Sequence, residues 1–348
     1  MTGTKVMISL ILSALTLVSV QDSLSYNIKN YSSPITDRSP DKLHLVSFNA
    51  WALPVWIPKS DQKMRYKRIP SKLLATEADI ICIQEAFAKK FRKTILPALY
   101  NDYYTYSNYR CNKSIAGPVV KDCHGGLMTF SKYPIINERF FEYPVHNNMR
   151  IEERIGEKGF LVSSIKIESD TIYIINTHLY AGLNYEDELR RVEQIQYLND
   201  VLSQLHPNNS KDIFLLGDLN IRHPDVAQKR KEPISIVYDY IIKQMKFVDT
   251  APSITSEDLT VDKSKNHYCG DSNGSQKLDY CLYRSAHNEK HSIISTEVLF
   301  KGEESISDHM AWSVVIDSKP PSLVQEVLPK GDLSPMTKRS IQNINCQE

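Results

Sequence analysis

The sequence predicts a single α/β domain with a mixed β-sheet over residues 42–317. Short apolar segments of strand length alternate with longer segments of helical periodicity, as is typical of α/β domains. Two strand-like segments, Phe160–Ile167 and Thr171–Thr177, flank the polar turn Glu168–Asp170 and predict a hairpin. A hairpin joins antiparallel strands, whereas a strand–helix–strand connection joins parallel strands. The presence of both indicates a mixed sheet.

The remaining elements follow in chain order. Apolar runs too short for helices predict strands at Leu43–Phe48, Asp79–Ile83, Leu127–Ser131, Ile213–Leu216, Leu278–Tyr283 and Ala311–Ile316. Helical spacing predicts helices over Gln62–Thr76, Glu186–Leu205 and Ile234–Met245. We expect the inward positions to be Met64, Ile69, Leu73 and Leu74 in the first helix, and Leu189, Val192, Ile195, Leu198 and Leu202 in the second.

The N-terminal residues predict a secretory signal peptide over residues 1–20. Lys5 precedes an apolar run from Met7 to Val20, which is short for a membrane span. Residues 21–41 and 318–348 are polar, which predicts a flexible lead-in and a poorly ordered tail. We therefore expect a secreted monomer without a transmembrane span that contacts membranes peripherally.

Cysteines and glycosylation motifs are consistent with secretion, because disulfides persist in the oxidising extracellular environment. We expect a disulfide between Cys111 and Cys123, which flank a polar loop, and a buried thiol at Cys82 inside an apolar strand. Six cysteines allow other pairings. Sequons occur at Asn30, Asn112, Asn208 and Asn273.

The charge balance bears on partners. The chain has 42 Lys and Arg against 41 Asp and Glu, for a net charge of +1. Bulk electrostatic binding of nucleic acid requires clustered positive charge, so no nucleic acid partner is expected.

Polar residues recur where apolar strands leave the core. They are Asn49, Glu85, His178, Asp218, Asn220, Asp279, Asp308 and His309. Each alone has an ordinary interpretation: a turn, a helix cap or a structural histidine. The ordered set carries the inference, because strand ends at one sheet edge form a crevice for ligands. Carboxylates that converge there suit a hard divalent cation, Mg²⁺ or Mn²⁺, held by Glu85 with Asn49 beside it.

This ordered set resembles the endonuclease/exonuclease/phosphatase superfamily across residues 43–316. The resemblance implies a four-layered α/β sandwich, with two mixed sheets face to face and helices outside. Further segments resemble neutral sphingomyelinases: Phe48–Pro54, Arg65 with Arg68, Gly125–Ile135, Glu157–Phe160 and Asn176–Ala181. Ala50 and Ala52 depart mildly from that pattern, and the projecting apolar hairpin of the bacterial enzymes is not evident.

The resemblance implies a metal-dependent phosphodiesterase that cleaves sphingomyelin at a membrane surface to ceramide and phosphocholine. It implies His309 as general base, Asp279 as its hydrogen-bond partner, and Glu85 with Asn49 as metal ligands. Asp218 and Asn220 would contact phosphate and water, His178 would stabilise a phosphoryl oxygen, and Asp308 would supply a second metal contact.

Three alternatives stay open at this stage. A secreted nuclease of the deoxyribonuclease I type shares the metal chemistry, although Asn49-x-Trp51, Lys158-Gly159 and the neutral charge disfavour it. A soluble phosphomonoesterase requires a more basic pocket, and an inactive binding protein does not require the complete residue set. The apolar segment Trp51–Pro58 fits either membrane docking or packing beneath the site.

Overall fold

The computed structural model describes residues 41–53, 61–107, 124–182, 184–270, 274–286 and 291–317. The strands are β1 (Lys42–Ala52), β2 (Ile80–Ala86), β3 (Met128–Ser131), β4 (Ile135–Glu142), β5 (Gly159–Ile167), β6 (Asp170–His178), β7 (Ile213–Asp218), β8 (Val248–Asp249), β9 (Asp279–Arg284), β10 (Ile293–Leu299) and β11 (Ala311–Asp317). The helices are α1 (Gln62–Leu74), α2 (Lys89–Leu99), α3 (Ile151–Gly156), α4 (Tyr185–Leu205), α5 (Pro224–Arg230) and α6 (Ile236–Lys243).

The strands form two mixed sheets. The first has the order β10-β11-β1-β2-β3, and the second has the order β4-β5-β6-β7-β9-β8. Each sheet has one parallel pair at its centre, β1 with β2 and β6 with β7. The predicted hairpin is present as the antiparallel pair of β5 and β6.

Three apolar clusters separate four layers. The central cluster joins the facing surfaces of the two sheets, with Leu45 and Trp312 from the first and Ile174 and Phe214 from the second. The outer face of the first sheet packs on α1 and α2, and that of the second packs on α4 and α6. The predicted four-layered α/β sandwich is confirmed.

One predicted inward position is wrong. Met64 is 48% exposed, whereas the adjacent Arg65 is 1% exposed. Arg65 donates hydrogen bonds to the carbonyl oxygens of Ala50 at 3.1 Å, Trp51 at 3.1 Å and Ile306 at 3.2 Å. A guanidinium whose donors are satisfied by backbone oxygens can be buried, and hydrophobic periodicity does not detect this.

Several expectations concern residues outside the described ranges. They include the signal peptide, the lead-in, the tail, Cys111, Cys123 and Trp56. The buried thiol at Cys82 is confirmed, and Cys281 is also free and buried. Within the part of the chain that the structure describes, no helix is long and apolar enough to cross a membrane.

Gly217 permits the close approach of β6 and β7 beside the candidate site. It pairs with Thr177, and a Cβ atom at Gly217 would lie 1.9 Å from the Thr177 carbonyl oxygen. We expect Gly217→Ala to lower the free energy of unfolding by about 1–3 kcal/mol through overpacking. Gly156→Ala is the control, because its methyl group would lie 3.7 Å from Lys158 Cγ. Equal urea midpoints for the two variants would contradict this prediction.

Candidate active site

The predicted polar residues meet at one edge of the sandwich, here called the site edge. Strands β1, β2, β6 and β7 end there, and β9 and β11 begin there. The register places His178 beside Asp218, and Asp218 beside Asp279, on three adjacent strands of the second sheet. The first sheet contributes Asn49, Glu85 and the segment before β11.

Asn49 links the two sheets. Its Nδ2 donates to Glu85 Oε1 at 3.1 Å and to Asp218 Oδ2 at 3.0 Å. Its Oδ1 accepts from the backbone N–H of Trp51 at 3.0 Å. Asn49 therefore presents its amide nitrogen to the acids and holds Glu85 in place, while direct ligation by Asn49 stays a prediction.

Asp218 lies at the centre of the cluster. Its Oδ2 is 3.5 Å from His178 Nε2 and 3.7 Å from His309 Nε2. Its Oδ1 accepts from the backbone N–H of Asn220 at 3.0 Å. Asn220 Nδ2 donates to the Leu179 carbonyl oxygen at 3.1 Å, which fixes the turn after β7.

His309 pairs with Asp279. Its Nδ1 lies 2.8 Å from Asp279 Oδ2, which orients the ring and leaves Nε2 on the side of Asp218. The resemblance implies Asp279 as the partner of this histidine, and Asp279 is the carboxylate that lies against its ring. A carboxylate on one ring nitrogen fixes the tautomer of a general base.

Asp308 belongs to the same cluster through Ser307. The Ser307 hydroxyl is within hydrogen-bond distance of the Asn49 carbonyl oxygen at 2.7 Å and of Asp308 Oδ1 at 3.2 Å. All eight predicted site residues therefore lie in one connected group.

Three residues at the site edge have a left-handed backbone conformation. Trp51, Glu85 and Asn220 have φ values of +46°, +54° and +51°. Non-glycine residues adopt this left-handed region at a cost of order 1 kcal/mol, and such residues cluster at functional sites.

Three carboxyl groups of the site have raised pKa values. Burial raises the pKa of Glu85, and the hydrogen bond from Asn49 opposes part of that rise. Burial raises the pKa of Asp218 to about 6, with Asp279 contributing, and that of Asp308 to about 6, with Glu85 contributing. Like charges that converge in a buried site disfavour one another, so the group favours a cation.

The two histidines shift in opposite directions. Burial, assisted by Lys158, moves the pKa of His178 well below its ordinary value, so the ring is neutral and can donate one N–H. Burial also lowers the pKa of His309, but the carboxylates of Asp279, Asp218 and Asp308 outweigh it and raise the pKa well above its ordinary value. Positive charge near these carboxylates would favour the neutral, basic form of His309.

The donor set fits a divalent cation. Glu85 Oε2 and Asp279 Oδ1 are buried without a hydrogen-bond partner among the described residues. Ligand atoms of Asp218, Asp279 and His309 also lie within 4.8 Å of one another. Because His309 Nδ1 is occupied by Asp279, we interpret that pair as an acid–base unit and Glu85 Oε2 as the free hard ligand.

The raised carboxyl pKa values predict how Mg²⁺ stabilises the fold. Folded-state values above the unfolded ones mean that these acids cost stability as pH rises from about 4 through about 6. Mg²⁺ can offset that cost only where they are ionised. Added Mg²⁺ should therefore raise the melting temperature of EDTA-treated protein more at pH 8 than at pH 5. An equal rise in melting temperature at both pH values would contradict binding of Mg²⁺ by these carboxyl groups.

The sequence assigned no role to two buried cations near the site. Lys158 Nζ donates to Glu153 Oε1 at 3.1 Å and to the Leu179 carbonyl oxygen at 2.8 Å. Arg65 donates to the backbone of both segments that the first sheet contributes to the site. One contact is at Ala50, next to Asn49, and the other is at Ile306, just before Asp308 and His309. Both residues lie in segments that resemble neutral sphingomyelinases, but only the fold shows what they contact.

Trp51 belongs to the apolar segment for which the sequence left membrane docking and packing beneath the site as alternatives. It is half-buried, with the Arg65 guanidinium 4.5 Å from its ring centroid and the Tyr268 ring 6.3 Å away. Trp51 therefore packs against Arg65 and Tyr268, and membrane docking by its segment stays a prediction.

Comparison with known proteins identifies the family. The model of the endonuclease/exonuclease/phosphatase family matches residues 46–309, which contain every site residue named above. The chain belongs to this family. It is 26% identical to a sphingomyelinase of Dictyostelium discoideum over 185 residues, or 44% of this chain, and spans 39% of that relative. It is 25% identical to an inositol phosphosphingolipids phospholipase C of Schizosaccharomyces pombe, over 83% of this chain and 72% of the relative.

Solved structures of other proteins share the fold. A variant of beta toxin from Staphylococcus aureus with bound magnesium ions has a TM-score of 0.57 at 18% identity, covering 78% of this chain and 99% of the toxin. TDP2 of Danio rerio complexed with a single-strand DNA product also has a TM-score of 0.57, at 14% identity, covering 80% and 99%. At these identities the fold does not select the substrate.

Proposed function

We propose that this protein is a secreted, Mg²⁺-dependent phosphodiesterase of the phospholipase C type that hydrolyses sphingomyelin to ceramide and phosphocholine. The observation that carries the proposal is the His309–Asp279 pair, 2.8 Å apart, on the same cluster as the buried free oxygen of Glu85. The similarity to a sphingomyelinase and to a phosphosphingolipid phospholipase C supports the substrate class.

The reaction needs a base, charge stabilisation and a leaving group. His309 Nε2 takes a proton from water, whose oxygen bonds to phosphorus while the bond from phosphorus to the ceramide oxygen breaks. The ceramide alkoxide leaves with that electron pair and takes a proton from solvent water, and His309 then releases its extra proton to solvent. Asp279 stabilises the imidazolium that forms on His309, and the neutral ring of His178 donates to a phosphoryl oxygen.

The remaining residues position the reactants. Glu85 would hold the cation, with Asp308 as a second contact, and the bound ion supplies Lewis-acid stabilisation of phosphate charge. Asn49 fixes Glu85 relative to Asp218, and Asp218 with Asn220 orients water and phosphate.

One assay with two substrates tests the proposal. Purified protein should release phosphocholine from sphingomyelin with Mg²⁺, and EDTA should abolish the release. It should not nick a supercoiled plasmid under the same conditions, because the chain has a net charge of only +1. Plasmid nicking without phosphocholine release would replace this proposal with the nuclease alternative.

A further inference from the structure

Exposed apolar side chains gather on the second-sheet side of the site edge. The group, here called the apolar rim, consists of Val145 (48% exposed), Ile151 (69%), Tyr185 (66%), Ile234 (50%) and Ile236 (46%). Large apolar side chains exposed together usually mark an interaction surface.

Topology places three of the rim residues at this edge. Val145 and Ile151 lie between the end of β4 and the start of β5, and Gly159 at that start pairs with Glu142 at the end of β4. Tyr185 begins α4, seven positions after His178 ends β6. The rim therefore borders the mouth of the candidate active site.

Side-chain contacts tie the rim segments together. Arg150, next to Ile151, donates to the Ala181 carbonyl oxygen and lies 3.6 Å from Asp187 in the first turn of α4. Ser235, between Ile234 and Ile236, donates its hydroxyl to Glu188 Oε1 at 2.6 Å. The first turn of α4 is thus the common neighbour of both flanking segments.

We propose that the apolar rim inserts into the surface of a zwitterionic, choline-lipid bilayer and presents the site to its substrate; this rests on the proposed function. A bilayer fits better than a second copy of the chain, because a second copy on the rim would cover the mouth. Exposed charges of both signs lie within five positions of a rim residue in the chain, Glu152 and Glu186 with Lys229 and Lys231, which favours a zwitterionic over an anionic surface. A tyrosine with aliphatic neighbours is typical of the membrane interface.

A pair of double variants tests the rim. Ile151→Glu/Tyr185→Glu places charge on the rim, and Ile136→Glu/Leu205→Glu places the same charge on residues 54% and 38% exposed at the opposite edge. Neither pair contacts the catalytic residues named above. Melting temperatures establish that both variants fold.

Binding is measured by co-sedimentation with vesicles of sphingomyelin and phosphatidylcholine. We expect the rim variant to lose about tenfold or more in vesicle affinity, because apolar insertion scales with buried area. The control variant should bind like wild type, and wild-type binding should persist in 0.5 M NaCl. Wild-type affinity in the rim variant, equal losses in both variants, or release by salt would each overturn the proposal.

A water-soluble substrate separates this inference from the proposed function. The rim variant should hydrolyse a chromogenic nitrophenyl ester of phosphocholine at the wild-type rate, while losing about tenfold on vesicles. Equal loss on both substrates would assign the rim to the chemistry and overturn its docking role. If wild type hydrolyses neither substrate, the proposed function fails, whereas the co-sedimentation result still decides whether the rim binds bilayers.

Discussion

Under the proposed mechanism, His309→Ala should lower the rate of phosphocholine release by about 10²–10⁴-fold, the range typical of a lost general base. His309 is the imidazole held by a carboxylate at 2.8 Å, and alanine removes the group that accepts the proton of water. The loss should appear in kcat, because His309 acts in the chemical step. Steady-state kinetics on sphingomyelin in detergent micelles measures it without dependence on vesicle docking.

Two further variants make this result interpretable. His206→Ala removes a half-buried histidine that stacks on Tyr173 away from the site and should retain wild-type activity. Asp279→Asn should shift the pH–rate profile, because the Asp279 carboxylate helps to raise the pKa of His309 and its loss lowers that pKa. If folded His309→Ala retains more than a tenth of the wild-type rate, the base lies elsewhere.

If Glu85 is the proposed metal ligand, Glu85→Gln should weaken Mg²⁺ binding by more than about 100-fold. Groups that only support a ligand typically change metal affinity by 10–100-fold, and a direct ligand should exceed that range. Glutamine preserves the side-chain shape and can still bond to Asn49, but it removes the charge whose free oxygen faces no partner among the described residues. Isothermal titration with Mg²⁺ measures the affinity directly, and activity should fall in parallel.

Glu168→Gln is a matched control for Glu85. It makes the same substitution at another left-handed position, φ +51°, in the exposed turn between β5 and β6. Mg²⁺ affinity should not change in this variant. Unchanged affinity in Glu85→Gln as well would remove Glu85 from the metal site and leave the acids of the second sheet as candidates.

Much of the fold follows from local patterns, and the misses have identifiable causes. The strand at Ile213–Leu216 and the helix at Glu186–Leu205 were predicted within two residues of their observed ends, because both are continuous or periodic in apolar residues. Strands β4 and β10 were missed, since both are edge strands with few buried positions. Edge strands are exposed to water, so apolar and polar residues need not alternate clearly along them.

The site was predictable as a set of residues but not as a network. Strand ends placed Asn49, Glu85 and Asp218 together, which the geometry bears out. No local pattern could show that Asn49 offers nitrogen instead of oxygen, or that Asp279 is the partner of His309. Those facts depend on how two sheets, distant in sequence, meet across the sandwich.

The link between Gln84 and Asn176 has a consequence for how activity is lost. Gln84 Nε2 donates to Asn176 Oδ1 at 2.8 Å from one sheet to the other, and both side chains are fully buried. Neighbouring residues Glu85 and His178 come from those same two strands. If the layers slide apart, the two halves of the reaction centre separate with them, so inactivation by denaturant should coincide with cooperative loss of sheet-to-sheet packing and not precede it.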